Sequence, residues 1–123
     1  TLYTIYALHM LTRVKGGDEL EGRRRSALLD TTASEVKILE RHLDVLKTVK
    51  ENEPIGIIRL SQMTGLPQHA VRYSLRILEQ DGLIEPSRGG AVTTDRVHEA
   101  LGTIESTLDD LSTTLKNLKT KIK

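Results

Sequence analysis

The sequence predicts a mostly α-helical chain with one small two-stranded β-hairpin and a long C-terminal helix of coiled-coil type. Three observations predict it. From Val97 to Ile122 apolar residues recur in steps of 4, 3, 4, 3, 4, 3 and 4, an unbroken heptad seam. Upstream, segments with helical apolar spacing are separated by Pro and Gly corners. Between Leu83 and Thr93, two short β-prone pieces flank Ser87-Arg88-Gly89-Gly90, which reads as a hairpin around a tight turn.

The 123 residues suit one domain with a modest core and an appended element. Phe and Trp are absent, so the core must come from Leu, Ile and Val. The net charge of +1 is too weak to argue for a polyanion partner by itself. Cysteine is absent, which excludes disulfides and thiol chemistry and fits a cytoplasmic chain. His9, His42, His69 and His98 show no metal-ligand spacing, so no metal or other cofactor is expected. No apolar run approaches the ~18 residues of a spanning helix, and no cleavable signal pattern is present. No phosphate loop and no nucleophile-plus-base pairing is identifiable, so no enzyme and no catalytic residue is expected.

Three segments are expected: 1–30, an N-terminal segment and basic linker; 31–94, a compact domain; and 95–123, a dimerisation helix. Residues 1–10, "TLYTIYALHM", fit neither period cleanly: Leu2, Ile5 and Tyr6 suit a helix, while the β-branched and aromatic content suits a strand. One reading takes His9-Met10 as a junction, with native sequence starting near Met10 or Leu11; no function is placed here. Gly16-Gly17, Gly22 and Arg23-Arg24-Arg25 read as a linker. The three arginines are either a solvated mobile run or a basic arm lying on phosphates.

Thr32 and Glu35 form a capping-box pair, which predicts a helix from about Ala33 to Glu51. Its apolar face is Val36, Leu39, Leu43, Leu46 and Val49, and Pro54 stops it. Ile57 to Thr64 reads as a short helix with Leu60 and Met63 inward. Gly65 ends it in the left-handed conformation a tight exit needs. Pro67 opens the next helix, where its missing N–H costs nothing, and Asp81-Gly82 breaks it. Leu83–Glu85 and Ala91–Thr93 are the hairpin strands, and Thr94-Asp95 caps the last helix.

The stretch "LSQMTGLPQHAVRYSLRILEQDGLIEPSRGGAVTT", Leu60 to Thr94, resembles the winged helix-turn-helix family. Leu60, Met63 and Leu66 suit the angle between two helices, Ser61 is small at their crossing, and Gly65 makes the turn. Val71, Leu75 and Leu78 suit the back of the second helix, and "LEQDGLI" suits the exit into a wing. The resemblance implies a winged helix-turn-helix domain with a two-stranded wing, whose second helix enters the major groove of double-stranded DNA. On this chain the implied DNA contacts are Gln68, His69, Arg72, Tyr73, Arg76 and Arg88. Gln pairs with adenine and Arg with guanine. Arg76 is placed to meet a phosphate, and the helix start at Gln68 to hold one. Arg88, at the wing tip, is placed near a minor groove or the backbone.

Each residue also has a structural reading. Arg72 and Arg76, four apart, equally decorate a soluble helix, although Pro67 to Leu78 holds two arginines and no acid. Tyr73 packs its ring on a neighbouring element or meets DNA. His69 is a plain surface histidine or a contact. Arg88 is a solvated loop residue or a wing contact.

The seam residues Val97, Leu101, Ile104, Leu108, Leu111, Leu115, Leu118 and Ile122 require a cover, either the N-terminal helix or a second copy of the chain. A homodimer is the preferred reading. Acids lie early in this helix and lysines late, which favours an antiparallel coiled coil; the same split also suits the helix dipole alone. This architecture resembles small archaeal winged-helix DNA-binding proteins that pair through such a helix. The functional reading is a homodimeric DNA-binding transcription regulator without a membrane partner. Two others stand beside it: a protein-interaction module, and an architectural chromatin protein of weak specificity. Residues 53–94 hold four arginines and four acids, which keeps the interaction module open.

Overall fold

The computed structural model describes residues 26–123; the expectations for residues 1–25, including Arg23 to Arg25, lie outside them. The described elements are α1 (Ala27–Asn52), α2 (Ile57–Thr64), α3 (Gln68–Gln80), β1 (Ile84–Ser87), β2 (Gly90–Thr93) and α4 (Val97–Thr120). The fold is mostly helical, with a two-stranded antiparallel wing and a long C-terminal helix, as the sequence predicts. Among the described residues no helix is long and apolar enough to cross a membrane.

Helix α1 starts six residues before the expected Ala33, at Ala27. Ser26 supplies the cap in place of Thr32: the Leu28 N–H donates to Ser26 Oγ at 3.2 Å and the Leu29 N–H to Ser26 O at 2.9 Å. Ala27, Leu28 and Leu29 are good helix formers, so the helix runs on through Thr31-Thr32. The buried stripe also differs from the expected one. Ile38, His42, Val45, Leu46 and Val49 are buried, whereas Val36 is exposed. A polar His42 in mid-stripe disguised the seam. Two compact units divide inside α1, between Asp44 and Val45.

In the second unit the core is built from Val45, Leu46 and Val49 of α1, Ile55, Leu60 of α2, and Val71 and Leu78 of α3. Leu83, Ile84 of β1 and Val97 of α4 complete it, with Leu66, Leu75, Ala100 and Leu101 packed around it. It is aliphatic, as a chain without Phe or Trp requires. The expectation for Met63 fails, since its side chain is exposed. On an eight-residue helix the inward stripe is Ile57, Leu60, Ser61 and Thr64, and Met63 lies about 100° off its centre.

The wing strands pair antiparallel from Ile84↔Thr93 to Ser87↔Gly90, so only Arg88 and Gly89 form the turn. Ile55 bridges the far side of β2: its N–H donates to Ala91 O at 3.2 Å and the Ala91 N–H donates to Ile55 O at 2.8 Å. Both Ala91 groups therefore point away from β1. Pro86, which faces Ala91, needs no N–H at that register. The Thr93 N–H and hydroxyl both donate to the Glu53 carboxylate, at 2.9 and 2.8 Å. Gly90 has φ +126°, and a Cβ there would lie 2.4 Å from the Ile55 backbone.

Two stability predictions follow from this packing. Gly90→Ala should destabilise the protein by about 2–4 kcal/mol, because neither the backbone angle nor Ile55 can yield. Gly102→Ala, in α4 with open space around it, should instead stabilise by about 0.5–1 kcal/mol. Denaturant titration of both variants checks the pair, and equal effects of one sign would contradict the account. His42 is lowered from 6.5 to about 4, first by burial and then by Arg41. The fold thus keeps it neutral while the unfolded chain protonates. Stability should be full above pH 6.5 and fall between pH 6.5 and about 4, by on the order of 1–3 kcal/mol. Denaturant midpoints across that range should fall for the parent and flatten for His42→Gln.

Candidate nucleic-acid interface

The α2–α3 corner is fastened by short-range hydrogen bonds. Gly65 sits at φ 75°, and its N–H donates to Ser61 O. Ser61 Oγ donates to Leu66 O at 2.6 Å, so Ser61 does more than leave room at a crossing. Thr64 Oγ1 donates to Leu60 O at 2.7 Å and accepts from the Leu66 N–H at 3.2 Å. Leu60 and Val71 are fully buried behind this corner. The orientation of α3 therefore rests on a rigid turn and an aliphatic wedge.

Helix α3 buries Ala70, Val71, Tyr73, Ser74 and Leu78. Leu75, expected with Val71 and Leu78 on the back face, is half-buried against the core. Gln68, Arg72 and Arg76 are exposed and His69 is half-buried. Tyr73 does not share that outer face. It is 5% exposed and lies among the inward residues, one position round the helix from Arg72. Of its two readings, this geometry supports packing.

Arg72 donates to Gln68 Oε1 at 3.3 Å across one helical turn, which aligns the two candidate base-reading side chains. Both line an open cleft of about 580 Å³ with Gly56, Ile57, Ile58, Arg59 and Gln62. The structure thus brings two arginines and two glutamines from α2 and α3 to one surface. Arg59 and Gln62 were missed by sequence reasoning. Their signal was present, since they fall on the face of α2 opposite the inward stripe of Ile57, Leu60, Ser61 and Thr64. Neither helix uses a side chain to cap its start, at Gly56 or at Pro67. The partial positive ends of both remain available to an anion. Arg76 extends the exposed face one turn further. Arg88 is exposed in the two-residue wing turn and does not line the cleft. Among the described residues no group of three His, Asp or Glu gathers to hold a metal.

A helix, a short helix, a tight turn, an exposed basic helix and a hairpin wing define a DNA-binding module of the winged helix-turn-helix class. Residues 38–85 match the family described as "Winged helix-turn-helix DNA-binding". The chain is 27% identical over 74 residues to the central glycolytic genes regulator of Bacillus subtilis (strain 168). That match takes in 60% of this chain and 22% of the relative, so the chain spans about a fifth of that protein's length. A solved structure, the activation domain of the phage T4 transcription factor MotA, aligns with a TM-score of 0.48 at 20% identity. The alignment covers 64% of this chain and 83% of that one.

The position of Tyr73 is testable without DNA. Tyr73→Ala should cost about 3–5 kcal/mol of stability, as for other buried aromatic truncations. A loss below about 1 kcal/mol by thermal or denaturant unfolding would return the ring to the surface.

Proposed function

We propose that this chain is a homodimeric, DNA-binding transcription regulator without catalytic activity. Helix α3 enters the major groove of duplex DNA, with Arg72 first and Gln68 second in reading base edges. Arg76, Arg59 and the uncapped helix starts grip phosphates. His69 sits at the edge of this surface, and Arg88 carries the wing to the neighbouring groove or backbone. Residues 31–94 are the DNA-binding part and 95–123 the dimerisation helix. A regulator of this kind works beside DNA, which is the basis for placing it in the cytoplasm. The observation that carries the reading is the exposed Gln68–Arg72 pair, joined by Arg59 and Gln62 on one cleft. The similarity to a bacterial gene regulator supports it.

The second copy is supported by α4. Its seam begins covered, with Val97 buried and Leu101 packed on the core, and ends exposed at Leu108, Leu111, Leu115, Leu118 and Ile122. A row of leucines in water calls for a partner, since each covered side chain contributes roughly 1.5–3 kcal/mol.

The balance of four arginines and four acids in residues 53–94 favours, as a second reading, an interaction module that has left DNA. Fluorescence anisotropy with duplex DNA separates the two. We expect binding that weakens at least about tenfold between 50 and 200 mM salt. Arg72→Ala should weaken it about tenfold or more at fixed salt. A selected site should be preferred over random duplex; equal affinity for both would indicate an architectural chromatin protein. No binding at low salt would leave the interaction module.

A further inference from the structure

We infer that α4 pairs with α4 of a second copy in one antiparallel register, centred on residue 113, in which Glu105 of each chain meets Lys119 of the other. This rests on the homodimer reading above and specifies its geometry.

Only part of the α4 seam is open to a partner. Val97 is buried, Leu101 packs on the core of its own domain, and Ile104 is half-buried. From Leu108 onward every seam residue is exposed. The part left for a partner is therefore Leu108 to Ile122, with Ile104 at its edge. With Leu101, Leu108, Leu115 and Ile122 at heptad position a, Ile104, Leu111 and Leu118 are at d.

In an antiparallel pair each a residue faces a d residue across the dimer. Only a few registers satisfy that rule here. One sets Ile104 against Ile122, Leu108 against Leu118, and Leu111 against Leu115, each twice by symmetry, and so covers the whole open seam. A shift of one heptad towards the N-terminus needs Val97 and Leu101, which the domain already uses. A shift the other way sets Leu111 against Ile122 and Leu115 against Leu118, so the apolar rule alone does not separate it from the centred register.

The flanking charges select the centred register. The e positions are Glu105, Ser112 and Lys119, and the g positions are Thr107, Thr114 and Lys121. Antiparallel helices bring e beside e and g beside g. In the centred register Glu105 meets Lys119 and Ser112 meets its own copy at the dyad. Thr107 meets Lys121, and Thr114 meets its own copy. All are exposed in the single chain and available to a partner. Neither shifted register opposes an acid to a base at these positions. A parallel pair sets g against the following e, giving Thr107 with Ser112 and Thr114 with Lys119. It forms no ion pair. The centred antiparallel arrangement alone satisfies both the apolar and the charged positions.

Charge exchange in the full-length chain tests this. Sedimentation equilibrium should show Glu105→Lys and Lys119→Glu each weakening the dimer by roughly tenfold, and the double variant regaining the parent affinity. In a parallel pair residues 105 and 119 lie about 21 Å apart, and the double variant would not recover. The chain has no cysteine, so single-thiol variants are clean. Ser112→Cys should be joined across the dimer by a short bifunctional thiol reagent, and Thr113→Cys, on the outer side, should not. A dimer whose charge exchange fails to recover and whose Ser112→Cys does not cross-link overturns the register and leaves the homodimer. A parent chain that sediments as a monomer at all accessible concentrations overturns the homodimer itself.

Discussion

The exchange of two backbone hydrogen bonds between Ile55 and Ala91 is the constraint on which the rest of this domain depends. Ile55 follows the end of α1 by three residues and precedes the start of α2 by two. Pinning it to β2 fixes where α1 delivers the chain, where α2 begins and where the wing stands. The approach is close enough that position 90 tolerates no side chain. Glu53 reinforces it by accepting from both the N–H and the hydroxyl of Thr93. Wing and helix pair are thus held as one object.

The second constraint is the Gly65 corner. Ser61, Thr64 and Leu66 satisfy one another's polar groups within six residues, so the corner does not depend on distant contacts to keep its angle. The aliphatic wedge of Leu60 and Val71 then sets the depth at which α3 stands out. What α3 presents outward is polar, with Arg72 already leaning on Gln68. A side chain partly ordered before binding loses less rotamer freedom when it meets a ligand. The domain's chemistry therefore lies in a preformed surface carrying positive charge, and its weak net charge is compatible with that.

Helix α4 belongs to the core at one end and leaves it at the other. Its first turns complete the core of the DNA-binding domain through Val97 and Leu101, and its remainder projects an uncovered leucine row. One continuous helix couples the folded head to the proposed dimer contact without an intervening flexible joint.

Much of this was legible in the sequence, and the parts that were not share a physical cause. Pro67, Gly65 and Asp81-Gly82 mark element ends through backbone chemistry that acts within a few residues, and the heptad steps of α4 are a one-dimensional pattern. The sequence by itself therefore determined the order of elements, the wing, the long helix and the exposed Gln68, Arg72 and Arg76. It misjudged the start of α1, because two caps competed and helix propensity carried the chain past Thr32. It also missed the true stripe of α1, because polar His42 is buried in its middle. Only the tertiary structure decided that Tyr73 turns inward, that Met63 turns outward, and that Arg59 and Gln62 join Arg72 on one cleft. It also decided that Ile55 and Glu53 clamp the wing. Each of these depends on how elements meet across the fold, such as a carboxylate and a hydroxyl forty residues apart, and local pattern has no term for that distance.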